Sequence, residues 1–68
     1  MPFDKAAELL LIELRGAAPL VRTLRDFDDY PKGTLGYVTG VNGLFLKVRL
    51  VGSDEDTLLL AREVKDVE

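Results

Sequence analysis

The sequence contains no cysteine, no histidine and no tryptophan. Without cysteine the chain has no disulfide, no thiolate nucleophile and no sulfur ligand for zinc or an iron–sulfur cluster. Without histidine it lacks the side chain that most often serves as a base or a metal ligand near neutral pH. We therefore expect no cofactor and no metal site, and we predict that the protein is not an enzyme.

Long apolar runs are also missing. The longest, at residues 9–12, is far shorter than the roughly 20 apolar residues that a membrane-spanning helix needs. Residues 1–4 lack the basic start and the long apolar stretch of a secretory signal. We therefore expect no membrane partner and a cytoplasmic location.

The short chain limits how the protein can be stabilised. A chain of 68 residues is a single domain, here 1–68, and its core is thin. Domains of this size often add a disulfide, a structural metal or a partner subunit. Because the composition argues against the first two, it favours a protein partner or self-association. The net charge of −3 argues against a protein that compacts DNA non-specifically.

Residues 4–15 predict a helix, with Asp4 as the N-cap and Gly16 just past the C-terminus. Leu9 and Ile12 fall among charged positions of this helix, so we expect them to be exposed. A competing interpretation makes the second half of the segment a strand, but the capping residues favour a helix. The predicted apolar face contains Phe3, Ala6, Ala7, Leu10, Leu11 and Leu14.

Residues 20–68 predict a succession of short strands. Asn42 and Gly43 predict a type I′ hairpin turn between the second and third strands. Gly36 and Gly40, which lie inside the second strand, indicate bends or a close approach of the backbone. The five predicted strands cover residues 20–25, 35–41, 44–51, 57–60 and 65–67, with a helical turn at 61–64.

The third strand has a strict alternation of side chains. Because successive side chains of a strand point to opposite faces, one set is expected in the core and the other mostly in solvent. The predicted core set is Leu44, Leu46, Val48 and Leu50, and the predicted solvent set is Phe45, Lys47, Arg49 and Val51.

Four segments of the chain occur in a familiar order, namely VRTLRD, KGTLGYV, GLFLKVRL and LLAREVKDV. This succession resembles small bacterial SH3-like barrel proteins, such as KOW-type domains and the small barrel subunits of photosynthetic complexes. With the helix in front, the resemblance implies a mostly β (α+β) fold, an N-terminal helix followed by a small five-stranded antiparallel SH3-like barrel. It implies a binding role in general, because this barrel hosts many unrelated functions.

Two functions follow as hypotheses. The first is a non-enzymatic protein–protein interaction or scaffolding module, either a homodimer or an accessory subunit of a larger complex. Its predicted contacts are the apolar residues that a small core has no room for, Leu9, Ile12, Phe45 and Val51. The alternative is a nucleic-acid-binding barrel of the KOW or Tudor-like kind. Its predicted contacts form a basic strand face of Arg22, Arg25, Lys47 and Arg49.

Overall fold

The computed structural model describes residues 5–67. The predicted elements are confirmed in type and order, and their bounds differ from the prediction by one or two residues. The elements are α1 (Lys5–Leu14), β1 (Leu20–Thr23), β2 (Leu35–Asn42), β3 (Phe45–Leu50), β4 (Asp56–Leu60), a 3₁₀ turn (Ala61–Glu63) and β5 (Val64–Asp66).

All five strands belong to one antiparallel sheet with the order β4-β3-β2-β1-β5. The first four strands follow one another as neighbours, and β5 returns to pair with β1. A helix followed by a five-stranded antiparallel sheet, curled into a small barrel-like fold, confirms the predicted fold class. The resemblance to SH3-like barrel proteins stays a prediction.

The inner face of the sheet holds the main core. Alternate side chains of β3 point inward, so Val48 and Leu50 are fully buried while Leu46 is half-buried. The alternation of side chains along the third strand predicted that Leu46, Val48 and Leu50 face the core. The buried members of this core are Val21, Val48, Leu50, Leu59 and Val64.

A second apolar cluster lies on the outer face of the sheet, beneath α1. Its buried members are Leu11 from the helix, Leu20 and Leu35 from the strands, and Val51 just after β3. An ion pair supports the same packing, because Arg22 on β1 contacts Glu8 of the helix at 3.1 Å.

The face that α1 turns toward the sheet differs from the predicted one. Leu10 and Leu14, which belong to the predicted apolar face, are 58% and 67% exposed, whereas Ile12, expected in solvent, is half-buried against the second cluster. The helix turns Glu8 and Ile12 toward the sheet, where Glu8 pairs with Arg22 and Ile12 packs against the second cluster. The predicted face residue Phe3 and the predicted N-cap Asp4 lie outside the described residues.

The burial of two residues beside β3 is the opposite of what the sequence predicted. Val51 was expected in solvent and is buried. Its side chain belongs to the outer face, as the alternation implies, but α1 covers that face at this point. Leu44 was expected in the core and is 84% exposed, because it lies in the hairpin turn rather than in the strand.

The β2–β3 hairpin turns one residue later than predicted. Asn42 pairs with Phe45, so the two loop residues are Gly43 and Leu44. Gly43 has a φ of +64°, while Leu44 is not among the residues with positive φ. A type I′ turn needs positive φ at both loop residues, whereas a type II′ turn needs it only at the first. The dihedral signs therefore fit a type II′ turn.

Glu63 joins the 3₁₀ turn to the loop after β1. Its carboxylate accepts a hydrogen bond from the backbone N–H of Leu60 at 3.0 Å and pairs with Arg25 Nε at 2.8 Å. Both contacts favour the ionised form and hold the pKa of Glu63 below its ordinary value. The hydrogen bond from the Leu60 N–H has the larger effect, and the hydrogen bond from the Arg25 guanidinium has the smaller one.

This carboxylate predicts a pH dependence of stability. A group whose pKa is lowered by folding stabilises the protein above its unfolded pKa, and that stabilisation is lost as the pH falls through the folded pKa. Replacing Glu63 with Gln removes this contribution. We therefore expect Glu63→Gln to show a lower melting temperature near neutral pH and a smaller further decrease in acid than the unmodified protein. Thermal unfolding followed by circular dichroism at both pH values measures this, and parallel curves would contradict it.

Candidate protein-interaction surface

An apolar cleft lies between one side of α1 and the sheet. It has a volume of about 210 Å³ and is open to solvent on one side. Leu10 and Leu14 form its helical wall, Tyr37 and Arg49 lie on the sheet side, and buried Val51 also lines it. The helix α1 covers the outer face of β1 and β2 but does not cover that of β3. The cleft is the space between the side of the helix and the uncovered face of β3.

The outer face of the sheet continues beyond the cleft onto β3 and β4. Residues paired across two antiparallel strands share a face. Phe45 pairs with Leu60 and Lys47 pairs with Leu58, so all four belong to the outer face. Phe45 and Leu58 are 42% and 50% exposed, although both are large apolar side chains. We call this area the β3–β4 outer face.

Arg49 connects the two areas, because it lines the cleft and belongs to the same face of β3 as Phe45 and Lys47. Its guanidinium is held by Asp56, with Nη2 at 2.9 Å and Nε at 3.0 Å from Oδ1. The positive charge is therefore neutralised locally. The cleft and the β3–β4 outer face lie on the same side of the sheet, with Arg49 between them, and we call the two areas together the interaction surface.

The four predicted protein contacts have different positions in the structure. Leu9 is exposed on α1 and Phe45 is exposed on the β3–β4 outer face. Ile12 packs against the second cluster, and Val51 is buried beneath the cleft. The prediction that Ile12 and Val51 are freely exposed is therefore wrong. Contact of Leu9 and Phe45 with a protein partner stays a prediction.

The four predicted nucleic-acid contacts do not form one stripe along adjacent strands, because β2 lies between β1 and β3. Arg22 pairs with Glu8, and Arg25 pairs with Glu63 and stacks on Phe27 at 3.9 Å from the ring centroid. Each arginine of the set thus has a carboxylate partner, and the fourth residue, Lys47, is an exposed cation. Nucleic-acid binding stays a prediction.

Sequence reasoning missed the exposed side chains that matter most on the interaction surface. Leu10 and Leu14 were predicted on the apolar face of the helix and were not named as partner contacts, and Leu58 was assigned no role. One signal was present for Leu58, since three consecutive leucines at residues 58–60 cannot all point inward from a strand. No sequence signal distinguished the two sides of α1, because both contain leucine.

Residues 5–67 show neither a metal-binding cluster nor a membrane-spanning helix. This part of the chain contains no group of three or more acidic, histidine or cysteine side chains placed to hold a metal ion. It also contains no helix long and apolar enough to cross a membrane.

No protein-family model matches the chain, and no curated protein or solved structure shows a significant match to it. A functional proposal therefore depends on the geometry and chemistry of the interaction surface.

Proposed function

We propose that the chain is a non-enzymatic, cytoplasmic protein–protein interaction module that binds another protein through the interaction surface. The observation that carries this proposal is the exposure of Leu10 and Leu14 beside an apolar cleft, on the side of the sheet where Phe45 is also exposed. Contiguous exposed apolar area, rather than single exposed side chains, is typical of protein interaction sites. The protein is then a scaffold or a small accessory subunit.

The size of the cleft favours a protein over a small molecule. Sites for small molecules and cofactors usually enclose about 300–1,000 Å³. The cleft measures about 210 Å³ and is open, so it has room for one or two apolar side chains of a partner. Such side chains act as the buried anchors of an interface, while the surrounding contacts exclude water.

The charges around the cleft support the same proposal. Arg49, the cation among its lining residues, is paired with Asp56. A cleft whose cation is already neutralised gains little from binding phosphates, which is the main source of affinity for nucleic acids. We therefore expect binding to depend on apolar contact and to change little with salt concentration.

A capture experiment tests this function. The tagged protein is incubated with lysate of the source organism, with and without nuclease, beside the double variant Leu10→Glu/Leu14→Glu. We expect a discrete protein partner that nuclease does not remove and that the double variant fails to capture, because two charges would be buried in the contact. Leu44→Glu is the matched control, since Leu44 is equally apolar, more exposed and remote from the cleft lining.

Circular dichroism of all three proteins establishes that the substitutions leave the fold intact, as expected for side chains that are mostly exposed. Equal capture by the double variant would refute the assignment of the cleft. Material that disappears with nuclease and with added salt would instead support the nucleic-acid alternative.

A further inference from the structure

The sheet has two edge strands, and they differ in how they are protected. Natural edge strands avoid pairing with other chains when they are short or carry charged side chains. β5 (Val64–Asp66) has three residues and includes Lys65 and Asp66. β4 (Asp56–Leu60) has five residues, and only its first is charged. The charge of Asp56 is balanced by Arg49, with which it forms an ion pair. Residues 57–60 of this edge strand have no charged side chain.

The hydrogen bond between Leu60 and Glu63 reveals the direction of the backbone groups of β4. The N–H of Leu60 donates to Glu63, so it points away from β3. In an antiparallel strand, alternate residues direct their backbone groups to the same side. The N–H and C=O of Leu58 therefore also point outward, to the edge. Outside the β3 ladder, the backbone of residues 57–59 makes no hydrogen bond to the described part of the chain.

We infer that β4 pairs with β4 of a second copy of this chain, antiparallel and across a two-fold axis at Leu58. Leu58 is the central residue of the strand, and both of its backbone groups face the edge. Two copies related by this axis therefore exchange two N–H···O=C bonds between their Leu58 residues. The two half-exposed Leu58 side chains also meet on the outer face, where each loses exposed apolar area.

The charges at the two ends of β4 favour this partner. Before the strand lies an acidic turn with Asp54 and Glu55, and after it lies Arg62. In an antiparallel pair, the residues before β4 of one copy come beside the residues after β4 of the other. Arg62 is exposed and makes no ion pair within residues 5–67, so it is available to the acidic turn of the second copy. The two-fold axis produces this complementary contact twice, which favours the antiparallel register.

The homodimer adds to the proposed function: it uses Leu58 of the β3–β4 outer face, but it leaves the cleft beside α1 free, because no residue of β4 lines that cleft. The absence of cysteine allows a direct test by single cysteine substitution. Paired residues that exchange hydrogen bonds have Cα atoms about 5.5 Å apart, which is within the range of a disulfide. We expect Leu58→Cys to form a disulfide-linked dimer under mild oxidation, as seen on a non-reducing gel.

Leu44→Cys is the matched control, because Leu44 is more exposed than Leu58 but lies in the hairpin turn, away from β4. Random collision would link this variant at least as readily as Leu58→Cys. We expect at least tenfold faster linkage at position 58 than at position 44. Equal rates, or no linkage at position 58, would overturn the inference.

Sedimentation of the unmodified protein gives an independent measurement. We expect a mass of about twice 7.5 kDa, and a monomer for Leu58→Lys, in which like charges face each other at the axis. A folded Leu58→Lys protein that stays dimeric, or an unmodified protein that stays monomeric at high concentration, would overturn the inference. Neither result affects capture of a different protein by Leu10 and Leu14, so the failure of each proposal is distinguishable.

Discussion

Leu50→Ala is expected to lower the free energy of unfolding by about 3 kcal/mol, which is the usual range for a leucine that leaves a cavity in a core. Leu50 is fully buried and contributes to the same cluster as Val48 and Leu59. A small domain has only a few kcal/mol of stability in total. Urea unfolding followed by circular dichroism should therefore find the variant partly unfolded even in the absence of denaturant.

The control for this change is Leu44→Ala. Leu44 shares the alternation of Leu50 along the chain, but it is 84% exposed in the hairpin turn. We expect its effect to remain within about 0.5 kcal/mol. A small loss at Leu50 would mean that its side chain lies outside the core, as in a register shifted by one residue, since such a shift exchanges the two faces of a strand.

Gly36→Ala has the second large expected effect, a loss of about 2 kcal/mol in the free energy of unfolding. A Cβ atom at this position would lie 2.8 Å from Val48 Cγ1 and 2.9 Å from the carbonyl oxygen of Arg49. The oxygen belongs to the backbone of β3, which is held between β2 and β4, so it cannot move away easily. Urea unfolding again measures the change.

Gly40→Ala is the matched control on the same strand. A Cβ atom there would meet only the side chain of Lys47, at an ordinary contact distance of 3.5 Å. Alanine also restricts the unfolded chain more than glycine does, which stabilises the folded state. We therefore expect this variant to be as stable as the unmodified protein or slightly more stable. Equal losses at both glycines would refute the explanation from close backbone approach.

The variants that test stability and the variants that test binding affect different parts of the molecule. Leu50 and Gly36 are buried in the sheet, whereas Leu10, Leu14 and Leu58 are mostly or half exposed. The binding variants should therefore unfold at nearly the same urea concentration as the unmodified protein. This separation allows a loss of capture or of dimerisation to be attributed to the surface rather than to the fold.

Most of the fold could be predicted from the sequence because its signals are local. The alternation in residues 20–25 and 44–51 indicated strands, and Gly16, which has a φ of +63°, marked the end of the helix. Gly36 was also recognised as a site of close backbone approach, which the structure confirms. Each of these predictions depends on neighbouring residues only.

The candidate site was predicted less well because its residues come from separate parts of the chain. Helical spacing placed Leu10 and Leu14 on an apolar face, but it could not show which face meets the sheet. In the structure a different face meets the sheet, through contacts with residues distant in the chain, such as that between Glu8 and Arg22, 14 residues apart. Phe45 and Val51 belong to the same predicted face of the third strand, but α1 covers Val51 and leaves Phe45 exposed.

The sequence by itself therefore determined the order and type of the elements, the inner set of β3 apart from Leu44, and the absence of thiol and imidazole chemistry. Only the tertiary structure decided the rotation of α1, the separation of β1 from β3 by β2, and the position of β4 at an edge. The physical reason is the range of the interactions. Backbone preferences and side-chain alternation act between neighbours, whereas exposure depends on which distant element covers a residue.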